Sequence, residues 1–277
     1  MTLGEVLGAT TEYLSGKGID TARLDSELIL ARALGMTRIE LYTRFDRPLV
    51  PAELDAIRPL VARRGKREPL AYVLGEWGFR RLTLATDARA LVPRPETETV
   101  VERALAAIAG LDAPCVVDVG TGSGAIALSI ADEHPGAYVT ATDVSPDALA
   151  LARENAERLG LTVELVETSL LEGLEGPFDL VVSNPPYVRG DEVEALQPEV
   201  RDWEPRRAVV GDDQTERLAR AARDVLAPGR ALVLETHEGH AREVRALLVG
   251  LGYARATISR DLAGRERVVE GWWEKGT

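Results

Sequence analysis

The chain has 277 residues, 45% hydrophobic and 28% charged, with a formal net charge of −12. That length admits one large domain or a large and a small one, and no apolar stretch is long enough to read as a membrane span. The negative charge disfavours unspecific binding to nucleic-acid phosphates, and the single Cys115 rules out an internal disulfide and points to the cytoplasm.

The N-terminus, MTLGEVLGAT, lacks a positive region followed by an apolar stretch, so no signal peptide is expected. Residues 3–65 read as helices. The first, LGEVLGATTEYL, stops near Gly16 and Gly18. The second opens on Asp20 as N-cap and closes on Gly35. A short TRIELYTR follows, then PAELDAIRPLVARRG, with Pro51 in the first turn and Pro59 expected to kink or break it. Arg63, Arg64, Lys66 and Arg67 read as a solvated helix end, the alternative being a docking patch. Residues 76–92 alternate apolar and polar positions and predict a hairpin. The expected domains are a helical one over 1–75, a hairpin linker over 76–95 and a catalytic domain over 96–277. Charge follows that division. Residues 1–90 carry 14 Lys and Arg against 12 Asp and Glu, and the remainder 19 against 33.

From Cys115 onward, CVVDVG, YVTATDV, VELVET and FDLVVSN are short apolar runs separated by helical stretches, which predicts an α/β fold with a mostly parallel sheet. RALVLET and RERVVEGWWE read as late strands. Between the first strand and its helix lie Gly120, Gly122 and Gly124, where the backbone can turn sharply and a ligand can approach. The helix N-terminus there offers free N–H groups to an anion. Downstream, Asp143 ends its strand and can accept hydrogen bonds from ribose hydroxyls. A dinucleotide fold prefers G-x-G-x-x-G, whereas this loop is G-x-G-x-G preceded by Asp118. It resembles the methionine-and-ribose site of class I S-adenosylmethionine (SAM) methyltransferases. A nicotinamide site and a ligand-free turn are the competing readings.

The fourth strand breaks into Asn184-Pro185-Pro186-Tyr187. An amide or aromatic NH2 is a poor nucleophile because its lone pair is delocalised, as the roughly 18–20 kcal/mol peptide rotation barrier attests. A methyl donor can react with it only if the NH2 is held with its lone-pair face toward the methyl, at about 3–3.5 Å. Asn184 supplies one side-chain carbonyl and the backbone of Pro185 a second, since Pro186 forces Pro185 away from helical geometry. Tyr187 can lie over a planar group and fix its tilt. A rigid strand end without chemistry is the plain alternative. Both this corner and the glycine loop lie at the carboxyl edge of the sheet, where open α/β sheets bind ligands, and together they favour catalysis.

Over nearly its whole length the chain resembles the HemK-type protein-(glutamine-N5) methyltransferases. The resemblance rests on EPLAYVLGEWGF (68–79), LVPRPETE (91–98), DVGTGSGAIALSIA (118–131), FDLVVSNPPYV (178–188), EPRRAVVGDD (204–213) and RDLAGRERVV (260–269). It implies a seven-stranded, Rossmann-like class I SAM-dependent methyltransferase fold with a small helical N-terminal domain. The substrate it implies is the Gln of the Gly-Gly-Gln loop in class 1 peptide chain release factors. Gly120, Thr121, Gly122, Ser123 and Gly124 would line the methionine end of SAM, Asp143 the ribose and Leu170 the adenine. Asn184 would touch cofactor and substrate, with Pro185, Pro186 and Tyr187 clasping the amide. Arg94 and Glu96 would shape the pocket or form a structural pair. The sequence departs from the family pattern at Ser169, in ETHEGH and in DDQTERL.

Two rivals remain at this stage, an amine methyltransferase acting on an RNA or DNA base and a non-catalytic binding module. The negative catalytic part argues against the first, because base flipping wants a basic groove. His237 and His240 could sit on one helix face beside Glu235 and Glu238, but methyl transfer from a sulfonium needs no metal and none is expected. Cys115 is expected in the core, as is one of Trp272 and Trp273. The partner expected is a release factor, with neither direct nucleic-acid binding nor a membrane, and the protein is expected to be a monomer.

Overall fold

The computed structural model describes residues 1–211 and 213–274; Asp212, within the DDQTERL departure, and the last three residues of the expected catalytic domain lie outside them. The chain divides into two compact units, Met1–Glu76 with Leu196–Trp203, and Trp77–Ala195 with Glu204–Thr277.

The first unit is helical: α1 (Leu3–Ser15), α2 (Ala22–Leu34), α3 (Arg38–Thr43), α4 (Pro51–Gly65) and α5 (Leu70–Leu74). Thr2 starts α1 with a reciprocal cap, its hydroxyl accepting from the Glu5 amide while Glu5 accepts from the Thr2 amide. Apolar residues at helical spacing, among them Leu3, Leu7, Leu14, Ile29, Leu30 and Leu41, are fully buried in one core. Gly35 closes α2 at φ 61°, a left-handed conformation that suits glycine. Two expectations fail here and a third holds only in part. Thr21, not Asp20, is the N-cap of α2. The helix α4 runs through Pro59, because Ile57 before it is buried and Leu60 and Val61 after it pack on the same core. That burial outweighs a missing backbone bond worth roughly 3 kcal/mol. The basic run is solvated only in part: Lys66 is exposed, but Arg64 and Arg67 turn inward. Arg64 is only 5% exposed, and its guanidinium meets Asp25 at 2.6 Å and Glu199 at 2.8 Å. Arg67 grips the same Glu199 at 2.7 Å and Arg63 pairs with Glu68. Residues 196–203, which the sequence places with the catalytic part, thus bring this unit the carboxylate its arginines need.

The second unit begins with a two-stranded sheet, β1 (Glu76–Phe79) and β2 (Leu82–Ala85), and continues through α6 (Thr97–Ile108), β3 (Cys115–Val119), α7 (Ala125–Glu133), β4 (Tyr138–Asp143), α8 (Pro146–Leu159), β5 (Glu164–Glu167) and β6 (Phe178–Ser183). After short helices, of which α9 (Pro198–Trp203) belongs to the first unit, come α10 (Arg206–Val209), α11 (Gln214–Val225), β7 (Leu226–Glu235), α12 (Ala241–Gly250), β8 (Arg255–Arg260) and β9 (Glu266–Trp273). The seven-stranded sheet has the order β5-β4-β3-β6-β7-β9-β8. Its first five strands are parallel and β9 is antiparallel to both neighbours. Parallel strands are buried on both faces, so alternate residues feed two cores. Val116, Leu180, Val182 and Val233 meet α6 and α7, while Val117, Val181, Leu232 and Leu234 meet α11 and α12. Trp272 packs on the first core and Trp273 on the second, both partly buried, where one was expected inside. Cys115 is partly buried against the second core. The strand order reverses between β3 and β6, which opens a crevice beyond their carboxyl ends.

Candidate active site

That crevice is a cavity of about 660 Å3, within the roughly 300–1,000 Å3 usual for small-molecule sites. Each wall grows from a strand end. After β3, Gly120 and Gly122 take φ of 72° and 57°, and the amides of Gly120 and Thr121 both donate to the Thr142 carbonyl of β4. Gly120, Thr121, Gly122 and Ser123 line the cavity. Gly124 does not. A Cβ there would stand 2.9 Å from Leu128, so this glycine serves the packing of α7. At the α7 N-terminus, Asp118 takes the Ala127 amide at 3.2 Å and the Thr121 hydroxyl at 2.6 Å, while Ala125 and Ile126 line the cavity. Complete burial, with the Asp143 charge nearby, pushes the Asp118 carboxyl up to about 7, and its Oδ1 has no partner among the described residues.

Asp143 lines the cavity at the end of β4. One of its oxygens accepts from the Gly122 amide at 3.0 Å and the other from the Ser145 amide at 2.9 Å. Each retains lone pairs for a further donor. Beyond β5, Thr168, Ser169 and Leu170 form the next wall. Leu170 adopts φ 54°, and its carbonyl accepts from the Thr142 hydroxyl.

Asn184, Pro185 and Pro186 line the opposite side. The Asn184 amide donates through Nδ2 to Thr97 Oγ1 at 3.3 Å. Among the described residues, no donor reaches Asn184 Oδ1 or the Pro185 carbonyl. Gly211 abuts the corner, where a Cβ would lie 2.6 Å from the Pro186 carbonyl oxygen. The Val188 and Val210 backbones bridge beside it. Tyr187 does not line the cavity; its ring lies 5.7 Å from that of His237. Burial, followed by the Glu235 charge, pushes its hydroxyl up to about 12, so it stays a neutral phenol. The His240 ring lies 5.4 Å from that of His237, tilted by 47°, and among the described residues no group of three or more His, Cys, Asp or Glu is placed to hold a metal ion.

The loop 91–94 forms the roof. Arg94 does not pair with Glu96. It binds both oxygens of buried Glu204, at 2.7 and 2.6 Å, while Glu96 meets Arg265 at 2.8 Å. Glu204 also accepts from the Val92 amide, which ties the roof to EPRR. Three further residues contribute that the sequence does not assign to the site. Buried Asn155 of α8 accepts from the Ala85 amide at 2.6 Å and donates to the carbonyls of Ala85 and Ser123, which staples the glycine loop from behind. Thr97 lines the cavity beside Asn184, and Glu235 lies behind it. Their hydrogen bond spans 138 residues, and only the neighbouring β6 and β7 ends hint at it.

The glycine cradle, the presented Asp143 carboxylate and the mixed polar and apolar wall at Ser169 and Leu170 fit a SAM molecule in chemistry and in size. Comparisons with known proteins agree. The family described as PrmC N-terminal domain matches residues 5–75, and that described as Methyltransferase small domain matches residues 103–199. A release factor glutamine methyltransferase from Geobacter sulfurreducens is 45% identical over 98% of this chain and 96% of its own length. Another from Chlorobaculum tepidum is 42% identical over 93% and 92%. The solved T. thermophilus 16S rRNA N2 G1207 methyltransferase, in complex with AdoMet and guanosine, is 18% identical. It covers 72% of this chain and 50% of its own, with a TM-score of 0.54, a likeness of fold alone. The sheet order and the final antiparallel strand are those of a class I SAM-dependent methyltransferase. Full-length similarity at this level places the chain in the release factor glutamine methyltransferase family.

Proposed function

We propose that this enzyme transfers a methyl group from S-adenosyl-L-methionine to the side-chain amide N5 of the Gln in the Gly-Gly-Gln loop of class 1 peptide chain release factors, with S-adenosyl-L-homocysteine as the other product. It acts as a cytoplasmic monomer, with residues 1–75 docking the release factor, 76–95 as linker and 96–277 as the catalytic domain. One observation supports this most. Two consecutive residues, Asn184 and Pro185, carry carbonyl oxygens that no donor among the described residues reaches, at the switch point of the sheet beside the glycine cradle.

When bound, SAM supplies an electrophilic methyl on a positively charged sulfur. Gly120 to Ser123 would hold its methionine end, Asp143 its ribose, and Ser169 and Leu170 its adenine. Asn184 Oδ1 accepts one N–H of the substrate amide and the Pro185 carbonyl the other, which fixes the plane of the NH2 and turns its lone-pair face into the cavity. Pro186, held by Gly211, keeps the Pro185 carbonyl outside any ladder. Tyr187 stands outside the cavity lining, beside His237, and would back the corner rather than face SAM. No strong base is needed, because an N-methylated amide cation readily loses its proton to water.

The test is mass spectrometry of a release factor before and after incubation with the enzyme and SAM. One added methyl on the Gln of Gly-Gly-Gln is expected. Label transferred only to RNA when both are offered would reject the reading.

A further inference from the structure

Thr97 is the first residue of α6 and is only 4% exposed. It donates to Glu235 Oε2 at 2.7 Å. Glu235 is the last residue of β7, and its neighbour Leu234 pairs with Ser183, so Glu235 stands beside Asn184 across the parallel ladder. A hydroxyl has a single hydrogen. With Glu235 ionised, as it is above about pH 7, that hydrogen is committed to the carboxylate, Thr97 Oγ1 faces Asn184 only as an acceptor, and Asn184 meets it with Nδ2 at 3.3 Å.

From this chain of bonds we infer that Thr97 and Glu235 are positioning residues, whose hydrogen-bond polarity sets which end of the Asn184 amide faces the substrate. The inference rests on the glutamine reading above. An Asn amide is nearly symmetric in shape, and its two ends differ only in what they donate and accept. Turned over, it would set Oδ1 against an oxygen whose hydrogen is spent and an NH2 against the substrate NH2, two donors facing each other. Glu235 thus acts at one remove. It orders the Thr97 proton, the proton orders Asn184, and Oδ1 is left for the substrate. Glu235 does not line the cavity; Thr97 does, so the SAM Kd readout separates positioning of Asn184 from direct contact with SAM.

Thr97→Val keeps the shape of the side chain and removes the polarity, whereas Thr97→Ser keeps the hydroxyl. Methylation of a release factor under saturating SAM is measured for both, with SAM affinity by calorimetry and thermal stability alongside. Thr97→Val should lower kcat about ten- to thirtyfold, with SAM Kd within about twofold of the unaltered enzyme, and Thr97→Ser should restore most of kcat. Should the Val variant fail to fold, Thr97→Ala takes its place in the same comparison. Unchanged kcat without the hydroxyl would overturn the positioning role, as would a Ser variant as slow as the Val one. An unaltered enzyme that fails to methylate the release factor overturns the glutamine reading and this inference with it, a result separable from a normal enzyme beside a normal variant.

Discussion

Asp143 and Asn184 stand on opposite walls of one cavity and do different work, so their loss should be read in different constants. Asp143 already holds the Gly122 and Ser145 amides, so Asp143→Ala removes the proposed ribose acceptor and frees the turn proposed to cradle the donor. The expected result is a SAM Kd raised about ten- to a hundredfold, since hydrogen bonds to charged groups are worth roughly 1.5–3 kcal/mol, with kcat at saturation little changed. Asn184→Ala should do the reverse, with kcat down by at least about a hundredfold and SAM binding nearly intact. Calorimetry and single-turnover rates distinguish the two, and an Asn184→Ala enzyme with normal kcat would sink the clasp. Both residues were legible in the sequence because each ends an apolar strand beside a local motif. Gly124 was legible only in part: the sequence shows a glycine, but whether its bare face meets a ligand or Leu128 is decided by the packing of α7. Thr97 and Glu235 could not be paired from sequence, since no local pattern marks a contact that only the sheet brings about.

Among elements, α8 shows how a helix can serve a loop it does not adjoin. Its Asn155 is fully buried and makes three hydrogen bonds, two to the end of β2 and one to Ser123. Asn155→Leu leaves buried backbone groups unpaired and should destabilise the second unit by about 3 kcal/mol. Urea denaturation followed by hydrogen exchange of that unit measures it, and SAM affinity should weaken in parallel. The strands β3, β4, β5 and β6 were plain in the sequence as apolar runs. RATISR was not. As the edge strand β8 it is partly exposed along its length and framed by Arg255 and Arg260, so its apolar signal is weak and only pairing with β9 defines it. The continuity of α4 through Pro59 was illegible for a related reason: local chemistry argued for a break, and the core on both sides decided otherwise.

At the scale of the molecule, the second unit holds buried carboxyls that respond to pH between about 4 and 7, where the ion-paired carboxylates of both units do not. In the helical unit, burial pushes the Glu27 carboxyl up, but bonds from Tyr42, Arg38 and Arg23 prevail and lower it from 4.5 to about 2. Its contribution is therefore present above about 4.5 and lost as pH falls toward 2. In the other unit, burial raises Asp118 from 3.8 and Glu235 from 4.5, each to about 7. A raised carboxyl binds its proton more tightly when folded, so that unit should lose stability as pH climbs from about 4 to about 7. Hydrogen exchange across that range should show protection in residues 77–195 rising as pH is lowered from 7 to 5, with the helical unit unmoved until below 4.5. Parallel loss in both on that first step would contradict the assignment. The α/β architecture and the helical beginning were legible from periodicity, but the excursion of residues 196–203 was not, since its reason is an ion pair 135 residues long. That pair has a consequence for synthesis. Although it starts the chain, the helical unit is not finished when residue 76 leaves the ribosome. Arg64 and Arg67 must wait, without their shared carboxylate, until translation has passed Glu199 and most of the parallel strands have already been made.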